Sequence, residues 1–193
     1  MKNVIKMASV AAAVLALTQT MQATQLTGNI GFTGQVELNT SSPATASAVT
    51  SWIAPEVEGT SGAFTVIANN TPVTFTSSTW NFNTPFTLTG INPFWSVDGF
   101  TFVLQSSYIL SQGGTPGSTG YTVVDGSGYV SGNGYSQTEM SWNFTISDPP
   151  ANDTTPSWTF QASADSVPDG GATVMLLGIA LSGVGLLKKK LMA

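Results

Sequence analysis

Side chains able to do chemistry are few in this chain, and what is missing narrows the possibilities as much as what is present. The 193 residues contain no histidine and no cysteine, and the five basic residues all lie at the ends, as Lys2, Lys6, Lys188, Lys189 and Lys190. Between Thr24 and Val167 there is no Lys, Arg or His. A hydroxyl nucleophile there has no neighbouring base, so Ser-His-Asp, Cys-His and Ser-Lys arrangements cannot be assembled. The usual zinc ligand sets and any disulfide framework are excluded as well. Nucleic acid is excluded as a partner, because Lys or Arg must displace the counterions of phosphate. The net charge of −5 fits a sparsely charged, secreted surface.

Carboxylates are the remaining reactive groups. Between the ends they are Glu37, Glu56, Glu58, Asp98, Asp125, Glu139, Asp148, Asp153 and Asp165. Glycoside hydrolysis needs only two of them, and Glu56, Glu58, Asp98 and Glu139 are the candidates. None sits in a dense polar-aromatic cluster, and no Arg is present to hold a substrate, so the reading is that the chain is not an enzyme. Oxygen ligands spaced by glycines suit calcium, and Asp125-Gly126-Ser127-Gly128 opens such a stretch. It continues to Gly134 with Tyr129 where an acid or amide is wanted, and lacks a closing Glu. The same residues read first as two strand ends joined by a Gly-rich hairpin. Trp95, between Phe94 and Asp98-Gly99 and near Pro93, is a candidate exposed aromatic in a turn. Trp95, Asp98 and Asp125 are thus the candidate ligand-binding residues. No cofactor is expected, with calcium as the one ion the acids could collect.

These residues must be positioned by β-structure. Leu26, Gly28, Ile30, Phe32, Gly34, Val36 and Leu38 alternate with polar residues, a period of two that predicts a half-buried strand with bulges or a bend at its glycines. Asn39 to Ser51 reads as a loop or a short helical turn, and Trp52 to Gly62, broken by Pro55, as an exposed connection. Short strands are predicted at 64–67, 73–76, 79–82, 86–89, 100–105, 108–110, 121–124, 128–130, 141–147 and 157–162, punctuated by turn residues. The triplets Trp80-Asn81-Phe82, Trp142-Asn143-Phe144 and Trp158-Thr159-Phe160 each put two aromatics on one strand face. They supply either one shared core or a platform for sugar rings. No segment carries helical periodicity, so the fold class is all-β: an antiparallel β-sandwich or jelly roll of about eight to ten strands.

The ends read as addresses. Residues 1–23 have the build of a signal peptide, with Lys2 and Lys6, an apolar run from Ala8 to Leu17 and a cleavage site after Ala23; the alternative is an uncleaved anchor. Residues 24–166 form the β-domain. Residues 167–193 comprise a polar motif at Val167, Pro168, Asp169, Gly170 and Gly171, an apolar stretch at 172–187 and a basic stop at Lys188, Lys189 and Lys190. As a helix, 172–187 is about 24 Å long against a hydrocarbon core of about 30 Å. It is short for a transmembrane helix, and the basic stop holds its end in the cytoplasm. By itself this is an ordinary C-terminal membrane anchor.

The order of these parts resembles the PEP-CTERM class of sorting tails, and Val167-Pro168-Asp169-Gly170-Gly171 closely resembles its Val-Pro-Asp (VPDSG-like) variant. It departs from the commoner form in Gly170 and Ala172, where Ser is frequent, and in ending on Lys rather than Arg. The Thr-Gly-Asn-Ile-Gly-Phe-Thr-Gly start and the Trp-Asn-Phe strands are also similar to uncharacterised domains of such proteins. The resemblance implies passage through the secretion translocon, signal-peptidase cleavage, a transient membrane anchor, and processing by an exosortase in a Gram-negative-type bacterium. The product would then reach the cell surface or extracellular matrix, as a structural or exopolysaccharide-associated protein. The alternative is a carbohydrate- or calcium-binding module at the same place.

Overall fold

Alternation of apolar and polar residues dictates which strand faces meet, and the computed structural model, which describes residues 24–149 and 155–164, follows it closely. Among the described residues nine strands form: β1 (Gly28–Leu38), β2 (Ala48–Thr60), β3 (Thr74–Phe75), β4 (Trp80–Asn81), β5 (Ile91–Val97), β6 (Phe100–Gly113), β7 (Tyr121–Gly132), β8 (Tyr135–Ser147) and β9 (Ser157–Ala164). Two 3-10 turns, Pro43–Thr45 and Gly62–Val66, complete the set. The fold is all-β and antiparallel. It does not divide into the two packed sheets of a sandwich or jelly roll; the strands form one curled sheet in the order β3-β5-β6-β7-β8-β9-β1-β2-β4.

Residues 70–82 close the curl. They shuttle between the strands β2 and β5, which lie near the two edges of the sheet. Val73 N donates to Pro55 O (2.9 Å) and Val57 N to Thr71 O (3.0 Å), both on the β2 side. Thr76 N then donates to Phe94 O (3.2 Å) beside β5, and Phe82 N returns to Ser47 O (2.9 Å) just before β2. These bonds occupy ladder groups that an open edge would expose.

Inside the curl lies a single apolar core. Trp80, Phe82, Trp142, Phe144, Trp158 and Phe160 are all buried, so the three triplets feed one core rather than a platform. Their rings meet edge-on or stacked, with Trp80 5.6 Å from Trp142 and Trp142 5.5 Å from Phe160 between centroids. Such pairs add roughly 0.5–1.5 kcal/mol each beyond the area they bury. Trp52 and Trp158 donate their indole N–H groups to Ser77 O and Gln35 O, at 3.0 and 3.1 Å.

Several sequence expectations are corrected. Trp52 to Thr60 is part of the long strand β2, not an exposed connection. Two residues, Ala54 and Pro55, stand opposite Gly34 alone in the β1 pairing, and this bulge accommodates a proline that would otherwise break a ladder. Residues 64–67 fall in a 3-10 turn and its exit, which bury Phe64 and Ile67. Residues 86–89 form no strand, although Thr87 N donates to Gln105 O (3.2 Å) alongside β6. The predicted pieces 100–105 with 108–110, and 121–124 with 128–130, are the continuous strands β6 and β7.

A candidate groove on the outer sheet face

The outward residues are those that the triplets leave over. With Trp142 and Phe144 facing in, Asn143 faces out; with Phe160 and Ala162 facing in, Gln161 and Ser163 face out. Strand register then assembles them into two cross-strand rows. Ser106 pairs with Ser127, Ser127 with Ser141, Ser141 with Ser163 and Ser163 with Asn29. Two residues further along each of these strands, Tyr108 pairs with Asp125, Asp125 with Asn143, Asn143 with Gln161 and Gln161 with Gly31. Each row crosses five strands, or about 19 Å at the usual interstrand spacing. Together they line an open groove of about 730 Å³.

The second row is held in place. Asn143 Nδ2 donates to Asp125 Oδ1 (2.6 Å), and Thr145 Oγ1 donates to Asn143 Oδ1 (3.0 Å), so the amide has one orientation. Ser106 and Ser127 share a hydroxyl–hydroxyl bond of 3.1 Å. Gln161 lies across Gly31, where a Cβ would stand 2.6 Å from its Nε2. Tyr108, 52% exposed, ends this row. The groove therefore offers hydroxyls, amides, one carboxylate and one open aromatic ring, and all five basic residues of the chain lie outside the described residues.

The sequence-predicted site residues separate. Trp95 is fully buried, stacked on Phe102 with centroids 5.3 Å apart, and Phe94 is buried beside it. The expectation of an exposed aromatic is therefore corrected. The pairing register slips between Ile91 and Trp95, and this irregularity turns two successive side chains inward. Asp98 stands in the two-residue turn before Gly99, both with positive φ, and its carbonyl accepts from Asn133 Nδ2 (3.0 Å) in the matching Asn133-Gly134 turn. Asp125 is a groove residue opposite Tyr108, more than roughly 20 Å along the strands from Asp98. Asp98 and Asp125 thus cannot share an ion. Among the described residues no group of three or more acids is close enough to hold a metal.

The Asp125 to Gly134 stretch resolves as β7 running into a hairpin. Gly126 and Gly128 face the core and leave room for rings: a Cβ on Gly126 would lie 2.3 Å from Trp142 Cζ2, and one on Gly128 2.4 Å from Phe102 Cζ. Asp148, which carried no assignment in the sequence, is a structural acid. Its carboxylate accepts from Gly120 N (2.7 Å), Ser118 N (3.0 Å) and Ser42 Oγ (3.0 Å), tying the β6–β7 turn to the first 3-10 turn.

Thr24 and the tips Asp98-Gly99 and Asn133-Gly134 lie at one end of the sheet, and β9 runs toward that same end. Ala23, Val167 to Gly171, the 172–187 stretch and Lys188 to Lys190 lie outside the described residues. Among the described residues no helix is long and apolar enough to cross a membrane. Residues 166–191 match the VPDSG-CTERM motif. Comparison of the chain with curated proteins and with solved structures finds no match. The chain therefore bears a sorting-signal tail of the kind that marks exported proteins, joined to an antiparallel β-domain.

Proposed function

We propose that this is an exported cell-surface or extracellular-matrix protein, released from a transient membrane anchor by an exosortase-type enzyme acting on Val167 to Gly171. Signal peptidase first cuts after Ala23, once the chain has entered the secretion translocon of a Gram-negative-type inner membrane. The observation that carries the reading is the motif match at 166–191, two residues beyond the end of β9. Thr24 and the end of β9 at Ala164 lie toward one end of the sheet, which supports the reading that this end is held to the membrane until each tail is cut. The domain acts outside without catalysis, as a structural or exopolysaccharide-associated element: it has no Lys, Arg or His, and its tryptophans are spent on the core. Deletion of the host's exosortase tests this. The protein should then accumulate in the membrane fraction with its tail intact, whereas an unchanged released form would overturn the reading.

One observation favours a more active version of the same role. The groove sets an open tyrosine beside a carboxylate and a row of amides, which suits carbohydrate and does not suit calcium, since Asp125 is its one acid.

A further inference from the structure

We propose that the outer groove binds a linear glycan that is uncharged or amine-bearing, laid across β6 to β9 with Tyr108 as its stacking end. The site rests on the surface-protein reading only for where such a glycan is met. A linear sugar chain presents hydroxyls at regular intervals along both edges and an apolar ring face. The groove presents the complement: a row of hydroxyls from Ser106, Ser127, Ser141 and Ser163, and a parallel row of Asp125, Asn143 and Gln161. The rows stand two residues apart along each strand, close to 7 Å, so one sugar chain can touch both.

Three features narrow the ligand. First, Asp125 is unopposed by any cation among the described residues, so uronate, sulfate and phosphate groups meet repulsion with nothing to offset it, while an ammonium group would pair with it. Second, the backbone groups beneath the rows are already used in the β6–β9 ladders, so an extended peptide has no main-chain partners here. Third, the polar groups are fixed before any ligand arrives. Asn143 is clamped between Asp125 and Thr145, and Gln161 rests on Gly31, which lowers the ordering cost of binding.

The test is isothermal titration calorimetry of the exported protein, purified from its host, with cellohexaose, mannohexaose, chitosan hexamer and polygalacturonate. At least one of the first three should bind and polygalacturonate should not. Tyr108→Ala and Asn143→Ala should each weaken that binding by about tenfold. Tyr121→Ala, an exposed tyrosine outside the groove, should bind as the wild type does, and the thermal transitions of all three variants show whether the fold is kept. The proposal is overturned if none of the first three probes binds at millimolar concentration, if polygalacturonate binds more tightly than they do, or if folded Tyr108→Ala and Asn143→Ala bind unchanged. A failure here leaves the sorting reading untouched, because the membrane accumulation described above reports on the tail alone.

Discussion

Replacing Gly126 by Ala places one methyl group where two neighbours already stand. Its Cβ would lie 2.3 Å from Ser106 O and 2.3 Å from Trp142 Cζ2, more than 1 Å inside ordinary contact on both sides. Neither neighbour can retreat cheaply. The carbonyl belongs to β6 beside a long ladder with β7, and the indole is packed against Trp80 and Phe160. Overpacking of this kind costs about 1–3 kcal/mol, and sometimes more, against a gain of up to about 1 kcal/mol from a stiffer unfolded chain. With both neighbours fixed the cost falls at the upper end, about 3 kcal/mol, so the net cost should be about 2 kcal/mol, from a total stability of about 5–15 kcal/mol. Urea unfolding followed by tryptophan fluorescence measures it as a lower midpoint at unchanged slope. The melting temperature should fall by about 6–10 °C. Gly59→Ala is the control, since a Cβ there meets nothing within 4 Å and the φ is ordinary. It should be neutral or stabilising by up to about 1 kcal/mol. A Gly126→Ala protein within about 0.5 kcal/mol of the wild type would refute the assignment of these glycines as clearance for core rings.

Further outcomes follow from the same geometry. Asp148→Ala removes the acceptor for Ser42, Ser118 and Gly120, and should cost about 2–3 kcal/mol in urea unfolding. Joint substitution of Val167, Pro168 and Asp169 by Ala should leave the protein in the membrane fraction with an unchanged melting temperature, read by fractionation and calorimetry, because these residues follow the last strand. Millimolar calcium should shift the melting temperature by less than about 1 °C, since Asp98 and Asp125 stand at separate places on the sheet. Asn133→Ala removes both the donor to Asp98 O and a residue suited to its φ of 50°, and should cost about 1–2 kcal/mol in urea unfolding.

Local alternation made much of the fold legible. Of the run from Leu26 to Leu38, Gly28–Leu38 is β1, with Gly34 at a bulge as its spacing suggested, and the Trp-x-Phe triplets supply one core. Where the chain departs from period two, sequence reading failed. Ala54-Pro55 resembles a strand break, yet the extra residue is absorbed by the bulge opposite Gly34. Phe94-Trp95 resembles an exposed turn, yet a register irregularity buries both. The glycines after Asp125 resemble ligand spacing, but they are set by rings on neighbouring strands that no local pattern reveals. Asp125 was visible as a candidate. Tyr108, Asn143 and Gln161 were not, because their alignment depends on the register of β6 to β9 together. The alternation within the triplets could have found two of them, since Asn143 stands between Trp142 and Phe144 and Gln161 follows Phe160, both at positions that must face away from the core. The curl itself depends on residues 70–82 reaching both edge regions, a long-range closure with no sequence signature.

All positive charge in this chain belongs to its ends, and the domain between them has none. In the proposed function those ends are an address, removed before the domain acts. Intact-mass analysis of the released protein from the native host tests this most directly. The released protein should begin at Thr24 and end at or before Gly171. A released protein that still carries Lys188 to Lys190 would contradict it.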